Sequence, residues 1–397
     1  MRLHKISDHI HYIGVNDRTT VRFEALWPIP YGVSYNSYLV AGSEKVAIID
    51  GVEVSNALQQ IDAIKSVLGD RQPDYLIINH MEPDHSGAIR ILRQAFPDLT
   101  IVGNVQTLAM VKGFYGVADN FLTVKDGDTL SLGDCTLNFA LTPMVHWPET
   151  MMTYFVEEKT LFSGDAFGCF GALNGAVLDK DMDTSTYFPE MIRYYSNIVG
   201  KYGQFVQRAM AKLKDIPVET VCSTHGPVWQ AELPKVMDIY DRLSRYEPLD
   251  RGVTIVYGSM YGNTERMVEA AADALAAAGV RNIAVHNASK SDLSYILADL
   301  FTHAGVIFAS PTYSDTIFPP VAAAIDGAIL RGLKNREVAV IGEFTWAPMA
   351  AKKMGAAVEA SEMTLISDPI TAKHAPDADI LEKCRSLAAT LATRLNN

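Results

Sequence analysis

One short segment of the sequence concentrates side chains that bind metal ions. Directly after the β-like run DYLIIN, residues 80–87 read HMEPDHSG and carry four potential ligands. Successive side chains of an extended segment point to alternate sides, so His80 and Glu82 can share one metal ion while Asp84 and His85 reach a second ion nearby. The pattern H-x-E-x-D-H therefore predicts a site for two metal ions.

Three further candidates follow the same local pattern, in which a short strand ends in a potential ligand. They are His146 in TPMVHWPET, Asp165 in LFSGDAFG and His225 in CSTHGPVW. A single His or Asp at a strand end is usually capped or solvated, so these three gain weight only together with the 80–85 cluster. The remaining histidines, at positions 4, 9, 11, 286, 303 and 374, lack this setting and are expected to be structural or solvated.

Two aromatic residues are candidates for a catalytic role. Trp147 directly follows His146, and Tyr194 lies in the run IRYYSN. Both can line a substrate pocket or donate a proton. Packing in the core is the alternative role, because aromatic side chains dominate protein interiors.

A second cluster of functional residues lies in the C-terminal part of the chain. The strand-like run VTIVYG leads into SMYGNTE and then into a long helical stretch. The hydroxyls of Ser259 and Thr264, the Asn263 amide and the N–H groups of a tight loop at a helix N-terminus suit a phosphate monoester. The segment is neither a G-x-x-x-x-G-K-[ST] loop nor a G-x-G-x-x-G loop. A plain helix cap at Asn263 is the alternative interpretation.

Two later segments place aromatic side chains among polar loop residues. Residues 310–315 (SPTYSD) follow the run AGVIFAS, and residues 343–348 (EFTWAP) follow the run EVAVIG. Together with the phosphate loop, they can hold a flat, apolar ring system such as an isoalloxazine.

The elements that must position these residues fall into two domains. The polar stretch YEPLDRG predicts a linker, so we expect domains at residues 1–250 and 251–397. In the first, β-like runs at 35–40, 46–50, 75–79, 136–141, 151–156 and 160–163 mix with helices at 56–69 and from about 86.

The second domain alternates five strands with five helices, which predicts a doubly wound parallel sheet with its ligand beyond the carboxyl ends of the strands. The strands are expected at 253–257, 282–286, 304–310, 337–343 and 363–366, and the helices at 264–279, 292–300, 319–330, 349–359 and 378–395.

Composition excludes several classes of protein. A chain of 397 residues with a net charge of −12 and no cationic cluster is not expected to bind nucleic acid. The N-terminus lacks the pattern of a secretory signal, and no apolar run approaches the ~20 residues that span a bilayer, so we expect a cytoplasmic protein without membrane contact. The four cysteines form no C-x-x-C pair, which argues against a disulfide framework or a four-cysteine metal module.

Residues 1–250 resemble the metallo-β-lactamase fold family, whose usual motif is H-x-H-x-D-H followed by a His, a bridging Asp and a final His. The resemblance implies an αββα fold. Glu82 stands where the family has its second histidine, and an anionic oxygen favours a metal that reaches the trivalent state over Zn²⁺. We therefore expect two iron ions. The implied ligands are His80, Glu82, Asp84, His85, His146, Asp165 and His225, with His85 either a ligand or a neighbour of one.

Residues 251–397 resemble the flavodoxin family, which implies a five-stranded doubly wound sheet that binds FMN. The family's loops align with phosphate contacts at Ser259, Met260, Tyr261, Gly262, Asn263 and Thr264, ring contacts at Pro311, Thr312, Tyr313, Ser314 and Asp315, and a loop beside the ring at Thr345, Trp346 and Ala347. Many relatives of the fused type have G-x-x-G-W-x-G in that last loop. This chain has Thr345 before the tryptophan and Pro348 two residues after it.

The order of the two halves resembles the flavodiiron proteins over the whole chain. The resemblance implies reduction of O₂ to water or of NO to N₂O at a di-iron site that receives electrons through FMN. It also implies an external donor, such as rubredoxin or the deazaflavin reduced F420, and a head-to-tail homodimer or a dimer of dimers.

Two other functions remain open at this point. A zinc hydrolase of the glyoxalase II or lactonase type would use the same fold, although Glu82 argues against it. A non-catalytic electron carrier would use only the flavodoxin-like half, although the full ligand set argues against that. The sequence leaves the choice between O₂ and NO open, and also the identity of the donor.

Overall fold

The computed structural model describes residues 4–396. Contacts divide the chain into two compact units: unit 1 runs up to Tyr194 and includes Gln204–Asp241, and unit 2 comprises Tyr195–Gly203 and the residues from Arg242 onward. The domain boundary at residue 250 stays a prediction. Among the helices of the described residues, none is both long and apolar enough to span a bilayer.

Two main sheets form the framework of unit 1. Its strands are β1 (His4–Lys5), β2 (Ile10–Tyr12), β3 (Val15–Asp17), β4 (Arg22–Phe23), β5 (Trp27–Pro28), β6 (Val33–Tyr35), β7 (Tyr38–Ala41), β8 (Val46–Ile49), β9 (Tyr75–Ile77), β10 (Thr100–Gly103), β11 (Phe121–Thr123), β12 (Thr129–Ser131), β13 (Thr136–Leu141), β14 (Met151–Phe155), β15 (Thr160–Gly164) and β16 (Thr220–Ser223).

The first sheet has the order β1-β2-β7-β8-β9-β10-β11, and the second has the order β12-β13-β14-β15-β16. Strands β8 to β11 are parallel, and the second sheet is antiparallel except for its β15–β16 pair. Tyr38 of β7 contacts Phe162 of β15 with 5.4 Å between ring centroids, and its hydroxyl donates to the Ser223 carbonyl. These contacts join the two sheets through one buried core. Strands β3–β6 and β4–β5 form two small hairpin-like pairs beside them.

The helices that lie wholly or mainly in unit 1 connect these strands. They are α1 (Ala57–Leu68), α2 (Pro83–Ser86), α3 (Ile89–Ala95), α4 (Val105–Tyr115), α5 (Tyr187–Tyr194), α6 (Gly203–Leu213) and α7 (Leu233–Ser244). Asn104 caps α4 by accepting hydrogen bonds from the N–H groups of Gln106 and Thr107, and Gly116 ends this helix in the left-handed conformation.

Two elements of unit 1 differ from the sequence prediction. The strand expected at 35–40 is interrupted after Tyr35, because Asn36 leaves the sheet: its N–H donates to the Thr224 carbonyl and its side-chain amide donates to two further carbonyls. The helix expected from about residue 86 is split in two: α2 begins at Pro83, whose fixed φ suits the first helical position, and ends at Ser86, and α3 begins at Ile89.

Unit 2 is a doubly wound parallel sheet of order β18-β17-β19-β21-β22. Alternate residues such as Ile255, Ile307 and Ile341 pack with helices α8 and α12 in one core. The strands are β17 (Asp250–Tyr257), β18 (Ile283–Asn287), β19 (His303–Tyr313), β20 (Thr316–Ile317), β21 (Glu337–Phe344), β22 (Thr364–Leu365) and β23 (Ile370–Lys373), and the helices are α8 (Asn263–Ala277), α9 (Leu293–Thr302), α10 (Pro319–Leu330), α11 (Met349–Glu359) and α12 (Ala378–Asn396).

The fifth position of this sheet differs from the prediction. Of the expected strand 363–366, only Thr364–Leu365 pairs with β21. Residues 370–373 form β23, which pairs with the second half of β21. Pro369 stands directly before the second piece and has no N–H to donate, which explains the break between them.

Buried His303 makes the stability of unit 2 depend on pH. It begins β19, and its Nδ1 lies 2.9 Å from the Thr254 hydroxyl. Burial lowers the pKa of His303 below its ordinary value, although Asp299 opposes the shift. The unfolded chain therefore binds the proton more readily, so the free energy of unfolding should fall as the pH drops through about 6.5, the ordinary histidine pKa.

We expect His303→Gln to weaken this pH dependence, because glutamine keeps a polar group at this position but does not titrate. The urea midpoint, followed by circular dichroism at about pH 7.5 and about pH 5.5, should shift less in the variant than in the parent. Equal shifts in the two proteins would contradict the assignment.

Candidate metal centre and phosphate-binding loop

The structure brings all seven predicted ligands together in unit 1. Five of them lie in loops beside strands, and the other two, Asp84 and His85, lie in the short helix α2. All are buried except Asp84, whose side chain is 12% exposed. His80 follows β9, and Glu82 directly precedes α2. His146 lies between β13 and β14, Asp165 follows β15, and His225 follows β16.

The first group of donors contains two histidines and two carboxylates. Nε2 of His80 lies 3.3 Å from Oε2 of Glu82 and 3.4 Å from Oδ2 of Asp165. Nε2 of His146 lies 3.1 Å from the same Glu82 oxygen and 3.2 Å from the same Asp165 oxygen. The four donor atoms thus surround one point.

The second group contains Asp84, His85 and His225. Oδ2 of Asp84 lies 3.2 Å from Nε2 of His85 and 3.3 Å from Nε2 of His225. The other oxygen of Asp165, Oδ1, lies 3.0 Å from His85 and 3.9 Å from His225. Asp165 therefore turns one carboxylate oxygen toward each group.

These distances fit a pair of metal ions. Nitrogen and oxygen donors bound at about 2.1 Å to one ion lie roughly 3.0–3.4 Å apart, depending on the coordination geometry. Within residues 4–396, several buried donor atoms of the centre also have no hydrogen-bond partner, namely both Asp84 oxygens, both His85 nitrogens, His225 Nε2 and Asp165 Oδ2. Buried polar atoms are normally paired, so bound cations account for this cluster.

The electrostatics of the centre favour cations. Burial opposes a charge on His85, but Asp84 and Asp165 outweigh it and raise the pKa of His85 to about 10. Burial likewise opposes a charge on His146, but the adjacent carboxylates of Asp165 and Glu82 raise its pKa to about 9. Burial alone would raise the pKa of Asp84, yet the adjacent histidines hold it well below its usual range. The carboxylates are thus ionised at neutral pH.

Three side chains and one backbone carbonyl that the sequence analysis missed orient the ligands. Oε1 of Glu149 lies 3.0 Å from Nδ1 of His80 and accepts a hydrogen bond from the Met81 N–H. Oδ1 of Asp50 accepts from the Asn79 N–H at 2.7 Å, which fixes the end of the strand before His80. Such outer hydrogen bonds set the direction of a metal-bound imidazole or carboxylate. The other two are Ser34, whose carbonyl accepts from His225 Nδ1, and Thr224, which donates to Asp165.

One of these orienting side chains had a signal in the sequence. Asp50 ends the run VAIID in the same way that the predicted ligands end their strands. Glu149 and Thr224 had none, because each is recognised only through a long-range contact.

Both predicted aromatic residues lie against the centre. The Trp147 ring meets His80 edge to face at 5.3 Å between centroids. Tyr194 is fully buried with its ring 5.5 Å from that of His225, and its hydroxyl has no hydrogen-bond partner. Burial raises the pKa of Tyr194 well above its ordinary value, so the hydroxyl keeps its proton. The ring also packs against Phe170, as the core interpretation expected.

The sequence analysis also missed Glu24, which lies in the turn between β4 and β5. The indole N–H of Trp27 donates to its Oε2 at 3.1 Å. Burial and the charge of Glu82 raise the pKa of Glu24 to about 7. No sequence pattern connects this residue with the ligand cluster.

In unit 2, the loop 259–262 joins β17 to helix α8. Oγ of Ser259 accepts hydrogen bonds from the N–H groups of Gly262 and Glu265. Gly262 has φ +90°, and a Cβ there would meet open space, so the left-handed backbone is what favours glycine. The Thr264 hydroxyl is buried without a hydrogen-bond partner, and Tyr261 is exposed. An unpaired hydroxyl among helix N-terminal N–H groups suits a phosphate.

The other predicted contact residues lie at the same edge of the sheet. Residue pairing sets the ends of β17, β19 and β21 side by side, so the loops that follow them are neighbours. Ser314 and Asp315 both have positive φ in the turn to β20. The Thr312 hydroxyl accepts from the Ala350 N–H. Pro311 is buried, whereas Met260, Tyr313, Thr345 and Trp346 are exposed, and Asn263 and Ala347 are half-buried.

Comparison with known proteins agrees with this arrangement. Residues 33–226 match the ODP family beta lactamase model, and residues 255–387 match the flavodoxin model. An anaerobic nitric oxide reductase flavorubredoxin of Escherichia coli (O1:K1 / APEC) is 30% identical over 388 residues, which cover 96% of this chain and 80% of that protein. The chain belongs to the flavodiiron protein family.

Solved structures of flavodiiron proteins superimpose on the whole chain. The flavodiiron protein from Giardia intestinalis is 27% identical with a TM-score of 0.95, covering 100% of this chain and 97% of that one. The rubredoxin oxygen:oxidoreductase from Desulfovibrio gigas is 28% identical with a TM-score of 0.94, covering 100% and 99%. The predicted family and fold class are therefore confirmed.

Proposed function

We propose that this flavodiiron protein is an oxidoreductase that reduces O₂ or NO at a di-iron centre supplied with electrons by FMN. The observation that carries the proposal is the Asp165 carboxylate, which turns one oxygen toward each of two donor groups. The names of the relatives give the two substrates: one is an anaerobic nitric oxide reductase, and another is a rubredoxin oxygen:oxidoreductase.

The donor set favours iron over zinc. Three carboxylates, those of Glu82, Asp84 and Asp165, offset much of the charge of two ferrous ions and stabilise the ferric state further. His80, Glu82, His146 and Asp165 would hold one iron, and Asp84, His85, His225 and Asp165 the other. Because His85 Nε2 lies as close to both carboxylates as the other donors do, we assign it as a ligand.

The loop at the start of α8 would hold the phosphate of FMN. The free hydroxyl of Thr264 and the loop N–H groups supply donors without a cationic side chain. The loops that end at Tyr313 and Trp346 would flank the ring system. When bound, FMN would supply single-electron transfer, and the irons would supply the redox-active sites for the gas.

The side chains around the metal centre have separate tasks. Glu149 and Asp50 fix the direction of His80. Tyr194 presents a neutral hydroxyl, which can donate a hydrogen bond beside the metal centre. Trp147 packs edge to face against the His80 ring.

The electron donor and the assembly follow from the family resemblance. We propose a separate rubredoxin-type protein as the donor, with a deazaflavin such as reduced F420 as the alternative. We also propose a head-to-tail homodimer. Anaerobic turnover with each gas and each donor, measured with O₂ and NO electrodes, distinguishes the two gases and the two donors.

The Asp165→Asn variant tests the metal centre. The amide keeps the size of the side chain but removes the charge shared by both groups, so we expect loss of iron and a fall in gas reduction of about a hundredfold or more. FMN content should stay unchanged, because the flavin loops lie in unit 2. Iron per chain, flavin absorbance and electrode traces are the measurements.

The matched control is Asp74→Asn, which removes a carboxylate that pairs with exposed Lys45 away from the centre. It should keep both iron and activity. Two zinc ions per purified chain, with no spectral change on adding dithionite, would instead overturn the di-iron proposal.

The Thr264→Val variant tests the phosphate loop. Valine has the same shape but no hydroxyl, and a hydrogen bond to a charged group contributes roughly 1.5–3 kcal/mol. The dissociation constant for FMN should therefore rise about ten- to hundredfold, while the iron content stays the same. Flavin fluorescence during titration of the FMN-free protein measures the change. Thr390→Val, at an exposed position of α12, is the control. An equal effect of both variants would refute the assignment.

A further inference from the structure

A second cluster of metal-binding side chains lies in unit 1, away from the seven ligands. It contains His9, Asp134 and Cys135, whose nearest donor atoms all lie within 4.8 Å of one another. His9 directly precedes β2 of the first sheet, and the other two residues lie in the turn between β12 and β13 of the second sheet. The fold thus brings together donors from distant parts of the sequence.

Each ring nitrogen of His9 faces a carboxylate. Its Nδ1 lies 2.8 Å from Oε1 of Glu158, and its Nε2 lies 3.5 Å from Oδ2 of Asp134. Metal-bound histidines usually donate the N–H of the other ring nitrogen to a carboxylate. Glu158 is placed to accept such a hydrogen bond from Nδ1, which leaves Nε2 facing Asp134.

Cys135 completes the donor set. Its Sγ lies 3.6 Å from Oδ1 of Asp134, and the residue is fully buried. Burial and the charge of Asp134 raise the pKa of this thiol to about 12, so without a cation the sulfur keeps its proton. A thiophilic ion would displace that proton. The His9 and Asp134 side chains are 32% and 52% exposed, so two of the three donors reach solvent.

The turn that carries these two ligands is held rigidly. The Ser43 N–H donates to Oδ1 of Asp134 at 2.7 Å, and the Asp134 N–H donates to the Ser43 hydroxyl. Gly133 has φ +106°, and a Cβ there would lie 2.3 Å from the Ser43 Oγ. The turn is therefore fixed before any ion binds, and Asp134 keeps Oδ2 for coordination.

We propose that His9 Nε2, Asp134 Oδ2 and Cys135 Sγ form a binding site for one Zn²⁺ ion, with water as the fourth ligand and Glu158 orienting His9. A mixed nitrogen, oxygen and sulfur set suits zinc, which is borderline-soft and four-coordinate. Binding exchanges the ion for the thiol proton and for any proton carried by His9 Nε2. The bound ion would link the first sheet to the second.

The proposal is tested on the complete protein, loaded with iron and FMN and then titrated with Zn²⁺ against a chromophoric chelator. We expect one zinc per chain without loss of iron. Zinc-edge X-ray absorption should show one sulfur at about 2.3 Å and nitrogen or oxygen neighbours at about 2.0–2.2 Å. Zinc that enters only as iron leaves, or a spectrum without sulfur, would overturn the proposal.

Three variants and one control separate this site from adventitious binding. Cys135→Ser should remove the sulfur signal and weaken zinc binding at least tenfold, and His9→Gln should weaken it similarly. Glu158→Gln should weaken it about ten- to hundredfold, because it acts only through His9. Cys384→Ser, which alters a buried cysteine in unit 2, should change nothing. Zinc binding that is unchanged in Cys135→Ser and His9→Gln would refute the site.

Discussion

The two oxygens of the Asp165 carboxylate face different pairs of histidines, and the arrangement of unit 1 depends on this one side chain. His80 and His146 face one oxygen, and His85 and His225 face the other. An ionised carboxylate is costly to bury unless cations and hydrogen bonds compensate it. Asp165 is fully buried, and the only hydroxyl donated to it in the described residues is that of Thr224, so most of the compensation comes from the metal ligands and the ions they hold.

Compensating this charge requires the ligands of four chain segments to lie at one place, and the course of the backbone brings them there. The loops after β9, β15 and β16 emerge side by side because the strands that precede them are anchored in two sheets packed on a common core. Asp50 shows how closely the loops are held. It is fully buried in the core layer and accepts hydrogen bonds from the N–H groups of Asn79 and His80. The ligand positions are therefore fixed by backbone hydrogen bonds as well as by bound ions.

The parts of this arrangement that were predictable are the ones encoded locally. A ligand at the end of a β-like run is visible in the sequence, and so are helices with clear ends. Helix α10 starts with two prolines and has exactly the expected bounds. Features that depend on contacts between distant segments could not be predicted from the sequence. Glu149 is recognised only by its contact with His80, and the break before β23 only by its pairing with β21. His9 has no local pattern at all, since its partners lie more than a hundred residues away.

The two metal clusters differ in donor chemistry in a way that bears on metal selection. At a given nitrogen and oxygen site, Zn²⁺ binds more tightly than Fe²⁺, so affinity alone would not keep zinc out of a histidine-rich centre. Carboxylates shift the balance toward iron because they stabilise its ferric state, which zinc cannot reach. Thiolate shifts it toward zinc. This chain places three carboxylates beside the histidines of the first cluster and a thiol beside His9 in the second. The first cluster therefore favours iron, which exchanges electrons, and the second favours zinc, which does not.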